Sequence, residues 1–252
     1  MLQLSIWCGG AILEMVILLR GFQGKLLPRF PIFYLYVFSV LFDSILIYPV
    51  YKWGTHQQYA IVYWTCQFLA ILIGSLVVFE IYRVALRYYP GTSRMARNAL
   101  LFVFALAIAK IFVYRSNGTL SWLRNAPAEL ERNLRVVQAF GILVIVGVLL
   151  IYAIPCGRNL KGILLGYGLF VGSSVFQLSL LSHFGDSFRA TWTFLQPFSY
   201  LCFLVIWLYA LWSPAPEPVH QPEPPPGDYS RLAADTHQEL AKLRVGFRKA
   251  ER

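Results

Sequence analysis

Apolar residues fill most of the chain in long runs, and short polar or basic segments separate one run from the next. An α-helix rises about 1.5 Å per residue, so about 20 mostly apolar residues cross the hydrocarbon core of a bilayer. The pattern predicts an all-α polytopic membrane protein, a seven-transmembrane-helix bundle. The predicted spans are residues 2–20, 31–51, 58–88, 98–114, 134–154, 161–183 and 188–212.

The third span carries polar residues in its first half that share one side of a helix. Tyr63, Gln67, Ala70 and Gly74 recur at helical spacing and form a small and polar stripe. In a membrane such a stripe packs against other helices better than against lipid. We therefore expect this span to lie inside the bundle.

The far end of the third span is charged. Glu80 and Arg83 are three residues apart, where their side chains can pair, and Arg87 follows one turn later. The pattern predicts an ion pair at the cytoplasmic end of the helix. The region from Glu80 to Arg97 resembles uncharacterised bacterial seven-helix integral membrane proteins, which implies a fold but no activity.

The composition changes sharply after the last span. Residues 214–228 contain Pro at nearly every second position, as an extended polyproline linker does. Residues 229–252 follow with a capping-box pattern at Thr236 and Glu239 and with several basic residues. We expect residues 1–213 to form the transmembrane domain and 229–252 to form a short amphipathic helix. That helix would bind the anionic inner leaflet or a cytoplasmic protein partner.

Basic residues in the loops predict the orientation, because they are retained on the cytoplasmic side of a membrane. One side collects nine of them and the other collects six, so we expect an external N-terminus and a cytoplasmic C-terminus, in a bacterial inner membrane. The nine are Arg20, Lys25, Arg29, Arg83, Arg87, Arg94, Arg97, Arg158 and Lys161. The six are Lys52, Arg115, Arg124, Arg132, Arg135 and Arg189.

Charge and composition narrow the possible partners. Only 13% of the residues are charged, against about 25% in soluble domains. The formal net charge is +10, and the basic residues are scattered among short loops without the aromatic-basic pattern of RNA-binding proteins. Membrane lipids are the expected partners, and nucleic acid is not.

A polar cluster is predicted in the outer half of the bundle. Asp43 and Lys110 each lie twelve residues beyond the start of their spans, or about 18 Å of helical rise, so they can face one another. Ionisable groups at this depth require partners or water. The predicted ligand-binding or structural cluster consists of Asp43, Gln67, Lys110, Gln177 and Gln196.

No motif in the sequence indicates catalysis. Nucleophile elbows, zinc-protease helices and P-loops are missing. The two histidines near the outer surface, His56 and His183, have no carboxylate or cysteine neighbours, so solvated side chains are favoured over a metal site. We expect no cofactor. A sensor or ligand-binding protein is the favoured function, and an assembly subunit of a membrane complex or a small-solute transporter stays open.

Overall fold

The computed structural model describes residues 2–87, 98, 122–152 and 154–215, with side chains at 5–87, 98, 131–152, 154–185 and 187–215. The predicted fourth span with Lys110, the Pro-rich linker and the terminal helix lie outside these residues. The described part contains six helices, each long and apolar enough to cross a membrane, so the all-α polytopic membrane class is confirmed. They are α1 (Leu2–Gln23), α2 (Pro31–Trp53), α3 (His56–Ala85), α4 (Trp122–Ile151), α5 (Arg158–Phe184) and α6 (Asp186–Leu211).

Local sequence explains several of these boundaries. Pro31 occupies the first turn of α2, where its missing N–H is not needed. A capping box opens α3, because the Thr55 hydroxyl accepts from the backbone N–H of Gln58 while the Gln58 side chain accepts from the backbone N–H of Thr55. Gly185 joins α5 to α6 at φ +57°, a backbone conformation that favours glycine.

The start of α4 corrects the sequence-based boundary. The segment from Arg115 to Arg135 was expected to be mainly an outer loop, with a transmembrane span beginning at Leu134. Instead α4 begins at Trp122 and continues without interruption to Ile151. The hydropathy pattern did not indicate this start, because the first turns of α4 are polar. Their Ala, Glu, Leu and Arg residues nevertheless favour a helix.

The six helices pack as a closed ring in the order α1, α2, α3, α4, α5 and α6, with α6 returning to α1. α3 also contacts α5 across the ring. This is one of the contacts through which opposite sides of the bundle meet.

α3 and α4 run parallel. Gln67 of α3 contacts Glu131 of α4. Farther along both helices, the Tyr82 hydroxyl of α3 donates to the carbonyl of Gly141 of α4 at 2.8 Å. Residue numbers rise together on both helices from the first contact to the second. Both helices therefore end at the same end of the bundle.

We call this end the Asn159 end, because Asn159 lies in its centre. There the Nδ2 atom of Asn159 in α5 donates to the carbonyls of Ala210 and Ser213, at 2.9 Å and 3.1 Å, and its Oδ1 atom accepts from the N–H of Ala215 at 2.7 Å. Asn159 thus joins the start of α5 to the end of α6.

An aromatic cluster fills the middle of the ring. Trp207 of α6 meets Phe33 of α2 at 5.1 Å between ring centroids, and Tyr36 of α2 meets Tyr167 of α5 at 5.7 Å. Phe170 of α5 touches both tyrosine rings. Many large apolar side chains point the other way and are exposed, as lipid-facing residues are, among them Phe42, Leu143, Phe176 and Tyr209.

Glycines bring α5 and α6 close together. A Cβ atom added at Gly162 would overlap the side chain of Ala210, and one added at Gly166 would overlap the indole of Trp207. This is the close approach that small residues four apart allow between membrane helices.

Candidate functional site

Three polar residues of α4 face the interior of the bundle. Glu131, Arg135 and Gln138 follow one another at helical spacing and are 8%, 4% and 0% exposed. Ile142 and Ile145 continue the same buried face toward the Asn159 end. A polar stripe therefore enters the core along α4 and gives way to an apolar one.

Arg135 lies among groups from three other helices. Its Nε atom is 3.7 Å from Oε1 of Glu131, and its guanidinium carbon lies 4.8 Å from the centroid of the Phe170 ring. The hydroxyl of Tyr36 lies near the guanidinium and interacts with it electrostatically. The Glu131 Oε1 atom also accepts from Nε2 of Gln67 at 2.6 Å, so Arg135 shares its ionic partner with an amide.

Two nitrogens of this guanidinium remain unsatisfied. Nε and Nη1 of Arg135 are buried and have no hydrogen-bond partner among the described residues. Arginine keeps its charge in proteins, and burying an ion costs several kcal/mol unless partners replace its water. The interior of the bundle therefore holds a positive group that is only partly compensated.

Gln138 and Tyr167 lie beside one another near Gly74. The Gln138 Nε2 atom donates to the carbonyl of Ile71 at 2.8 Å and to the hydroxyl of Ser75 at 3.0 Å. The Gln138 Oε1 atom and the Tyr167 hydroxyl have no partner in the described part of the chain. Since a Cβ atom at Gly74 would overlap the Tyr167 hydroxyl, the glycine in the α3 stripe is what makes room for it.

We call these residues together the Arg135 cluster. It consists of Tyr36, Gln67, Gly74, Glu131, Arg135, Gln138, Tyr167 and Phe170.

A second acidic group lies on the α1 side of the core. Glu14 is 1% exposed, and its Oε1 atom accepts from the hydroxyl of Tyr200 at 2.8 Å. Its Oε2 atom is buried without a partner among the described groups. The ring of Tyr200 lies 5.6 Å from that of Phe170, so Phe170 contacts both the tyrosine that binds Glu14 and the guanidinium of Arg135.

The residues of the predicted polar cluster lie in several places. Gln67 belongs to the Arg135 cluster, whereas Gln177 donates to the Ser199 hydroxyl at 2.9 Å. Asp43 is half-buried beside the thiol of Cys66. Gln196 is half-buried and makes no hydrogen bond within the described ranges. The predicted partner of Asp43, Lys110, lies outside those ranges.

The predicted cytoplasmic-end pair takes a different form in the structure. The two carboxylate oxygens of Glu80 accept from the backbone N–H groups of Ile32 and Phe33, at 2.9 Å and 2.8 Å. The exposed Arg83 adds electrostatic attraction, and Arg87 is exposed. Glu80 thus caps the first turn of α2 from the neighbouring helix.

Sequence reasoning missed Glu131, Arg135 and Gln138 because it assigned the first two to an outer loop. The signal that identifies them is periodicity. On a helix that starts before Leu134, these three residues share one face with Ile142 and Ile145, which are apolar core positions.

A comparison of the chain with protein-family models, with curated proteins and with solved structures finds no match. Within the described residues, no group of three or more His, Cys, Asp or Glu side chains is arranged to hold a metal ion. The polar groups of the Arg135 cluster offer hydrogen bonding and charge.

Proposed function

We propose that this chain is a multi-pass membrane protein that binds a small polar ligand inside its helical bundle, as a sensor or ligand-binding protein. The observation that carries the proposal is Arg135, a permanently charged side chain that is 4% exposed and has two buried donor atoms without a hydrogen bond to any described residue. An unsatisfied buried donor costs about 1–3 kcal/mol, and more when it is charged. Ionisable side chains inside membrane bundles accordingly mark ligand and ion sites.

Neighbouring groups support binding over a purely structural role. Buried polar atoms without a partner among the described residues recur around Arg135, on Gln138 and on Tyr167. A structural network is stable when all its members are satisfied, whereas a partly satisfied network costs free energy. A ligand that completes these hydrogen bonds would recover that free energy on binding.

We further propose seven spans, with the fourth at residues 98–114. The parallel packing of α3 and α4 supports this, because the chain ends α3 at the Asn159 end and begins α4 at the opposite end. The intervening residues must cross the length of the bundle. A seventh helix between them is the arrangement that satisfies backbone hydrogen bonds in lipid.

An external N-terminus and a cytoplasmic C-terminus are part of the same proposal. The basic residues expected on the outer side numbered six, and one of them was Arg135. Since Arg135 is buried in the core, it does not count as a loop residue. The predicted cytoplasmic side then has nine basic residues and the outer side has five. This difference agrees better with the retention of basic loops in the cytoplasm.

The test is to identify what the full chain carries when it is extracted in a mild detergent. Small molecules released by denaturation are compared by mass spectrometry among the wild type, Arg135→Gln and Arg132→Gln. Arg132 is the matched control, because it lies three residues earlier on α4 and donates to Ser182 in an exposed hydrogen bond. We expect a solute that the wild type and Arg132→Gln retain and Arg135→Gln loses. Equal solute content in all three folded proteins would contradict the proposal.

Small-solute transport is the second candidate, and Glu14 favours it. A buried carboxyl group with one unpaired oxygen is typical of proton relays in membrane transporters. Counterflow of the identified solute in proteoliposomes distinguishes the two functions. Exchange that Glu14→Gln abolishes while solute binding persists indicates transport, and binding without exchange indicates a sensor.

A further inference from the structure

The unpaired atoms around Arg135 indicate which kind of chemical group is missing from the core. Arginine and the indole of tryptophan donate hydrogen bonds and do not accept them. Nε and Nη1 of Arg135 and Nε1 of Trp207 are all buried without partners among the described residues. Trp207 belongs to the same aromatic cluster, with its ring 6.4 Å from that of Tyr167. The group that complements these three nitrogens is therefore a hydrogen-bond acceptor, and the Oε1 atom of Gln138, which also has no partner among the described residues, calls for a donor on the same ligand.

The charges around Arg135 favour a negative acceptor. Its ion pair with Glu131 is long, at 3.7 Å, whereas charge-assisted N–H···O bonds are usually about 2.7–2.9 Å. The same Glu131 oxygen accepts from Gln67 at 2.6 Å. Among the other carboxyl groups of the described residues, Glu14 accepts from Tyr200 with one oxygen and Asp43 lies beside the thiol of Cys66. The positive charge is thus weakly compensated.

The ring of Phe170 limits how such a group approaches. It lies against the guanidinium of Arg135 at 4.8 Å, so the N–H groups are reached from the edge of the guanidinium. Nε and Nη1 donate from different edges of the guanidinium. A carboxylate, whose two oxygens lie in one plane, therefore accepts parallel hydrogen bonds at the edge that Nη1 shares with Nη2.

We propose that Arg135 binds the carboxylate of a small organic acid, with the Tyr167 hydroxyl donating a further hydrogen bond. This inference rests on the proposed ligand-binding function and names the class of ligand. It assigns the negative end of the ligand to the α4 side of the core, and the aromatic rings of Tyr36 and Phe170 then lie beside its carbon skeleton.

The experiment measures binding of three carboxylates of increasing size, acetate, butyrate and benzoate, to the full chain in detergent. Thermal unfolding is followed at constant ionic strength, because a ligand that binds the folded state raises Tm with its concentration. Chloride, inorganic phosphate and methylammonium are the comparison ions. We expect a saturable rise in Tm for at least one carboxylate and a smaller or absent rise for the three comparison ions.

Two variants connect the effect to the site. Tyr167→Phe removes a hydroxyl that makes no hydrogen bond with the described residues, so the fold should persist while carboxylate affinity falls several-fold. Arg135→Lys keeps the charge and loses the planar donor edge, and we expect at least a tenfold loss of affinity. Arg132→Gln is the control that should bind as the wild type does.

The outcomes separate this inference from the function on which it rests. If the wild type carries a solute without a carboxylate and Arg135→Gln loses it, the inference is wrong and the ligand-binding function stands. If phosphate binds and no carboxylate does, the ligand class is also wrong. If neither a solute nor any probe ion depends on Arg135, water fills the site and both proposals fail.

Discussion

Glu80 and Asn159 at the Asn159 end are as well buried as the polar residues of the Arg135 cluster, but their hydrogen bonds are more complete. At the Asn159 end, Glu80 uses both oxygens and Asn159 uses both its amide oxygen and its amide nitrogen in hydrogen bonds. In the Arg135 cluster, Arg135, Gln138 and Tyr167 each keep at least one buried atom without a partner among the described residues. The first arrangement stabilises the fold, and the second leaves hydrogen-bonding groups that the proposed ligand would satisfy.

The largest loss of stability is expected at Glu80, where both carboxylate oxygens accept hydrogen bonds. Glu80→Ala leaves the N–H groups of Ile32 and Phe33 without their carboxylate partner, so we expect the free energy of unfolding to fall by about 3 kcal/mol, since hydrogen bonds to charged groups contribute about 1.5–3 kcal/mol each. Thermal or denaturant unfolding in detergent measures it. Glu80→Gln is the control, because it keeps one acceptor oxygen and should lose about half as much. Equal stability of Glu80→Ala and the wild type would show that water replaces the cap.

This capping contact also shows what sequence could and could not predict. The helical class and five of the six described membrane spans followed from hydropathy to within a few residues. The sequence singled out the charged residues of α3 and paired Glu80 with Arg83, but it did not indicate the backbone partners of Glu80. A charge at the end of a helix indicates that a partner exists, whereas only the packing of α2 against α3 shows that the partner is backbone.

The Arg135 cluster was predicted less well, for a related reason. Gln67 was identified from its place in the α3 stripe, and its bond to Glu131 supports that choice. Hydropathy averages over a window, so it excluded the polar first turns of α4 from the membrane. Arg135 then appeared to be a loop charge, although it lies in the core.

The next largest effect tests whether space in the Arg135 cluster matters. In Gly74→Ala the new methyl group would overlap the Tyr167 hydroxyl and lie 3.3 Å from Nε2 of Gln138. Overpacking a buried site costs about 1–3 kcal/mol, so we expect a loss of about 2 kcal/mol in unfolding free energy and weaker ligand binding. Gly147→Ala is the matched control, because no atom lies within 4 Å of its added Cβ. If both variants unfold at the same temperature, the contact between α3 and Tyr167 is looser than the structure shows.

Two tyrosines allow a direct test of the difference between buried groups with and without a hydrogen-bond partner, with a smaller expected effect. Tyr82 and Tyr167 are both buried, but the Tyr82 hydroxyl donates to Gly141 at 2.8 Å and the Tyr167 hydroxyl has no partner among the described residues. Tyr82→Phe should cost about 1 kcal/mol, whereas Tyr167→Phe should cost nothing or stabilise the unliganded protein slightly. The measurement is the free energy of unfolding of the two variants under the same conditions. A cost for Tyr167→Phe equal to that for Tyr82→Phe would mean that its hydroxyl is already satisfied by bound water or a ligand.

The smallest expected effect is a change in the alkylation rate of Cys156, and this reaction shows on which side of the membrane the Asn159 end lies. Cys156 is half-buried in the connection between α4 and α5, and burial raises the pKa of its thiol above the ordinary value. Thiolate is the reactive form. Alkylation at neutral pH should therefore be slower than for a free thiol and should accelerate as the pH rises toward the raised pKa.

A membrane-impermeant maleimide gives the measurement, with Cys156→Ser as the control for labelling at the other three cysteines. If the Asn159 end faces the cytoplasm, Cys156 is labelled in inverted membrane vesicles and protected in intact cells. Labelling in intact cells would reverse the orientation, and the end of the bundle at which α4 begins would then face the cytoplasm.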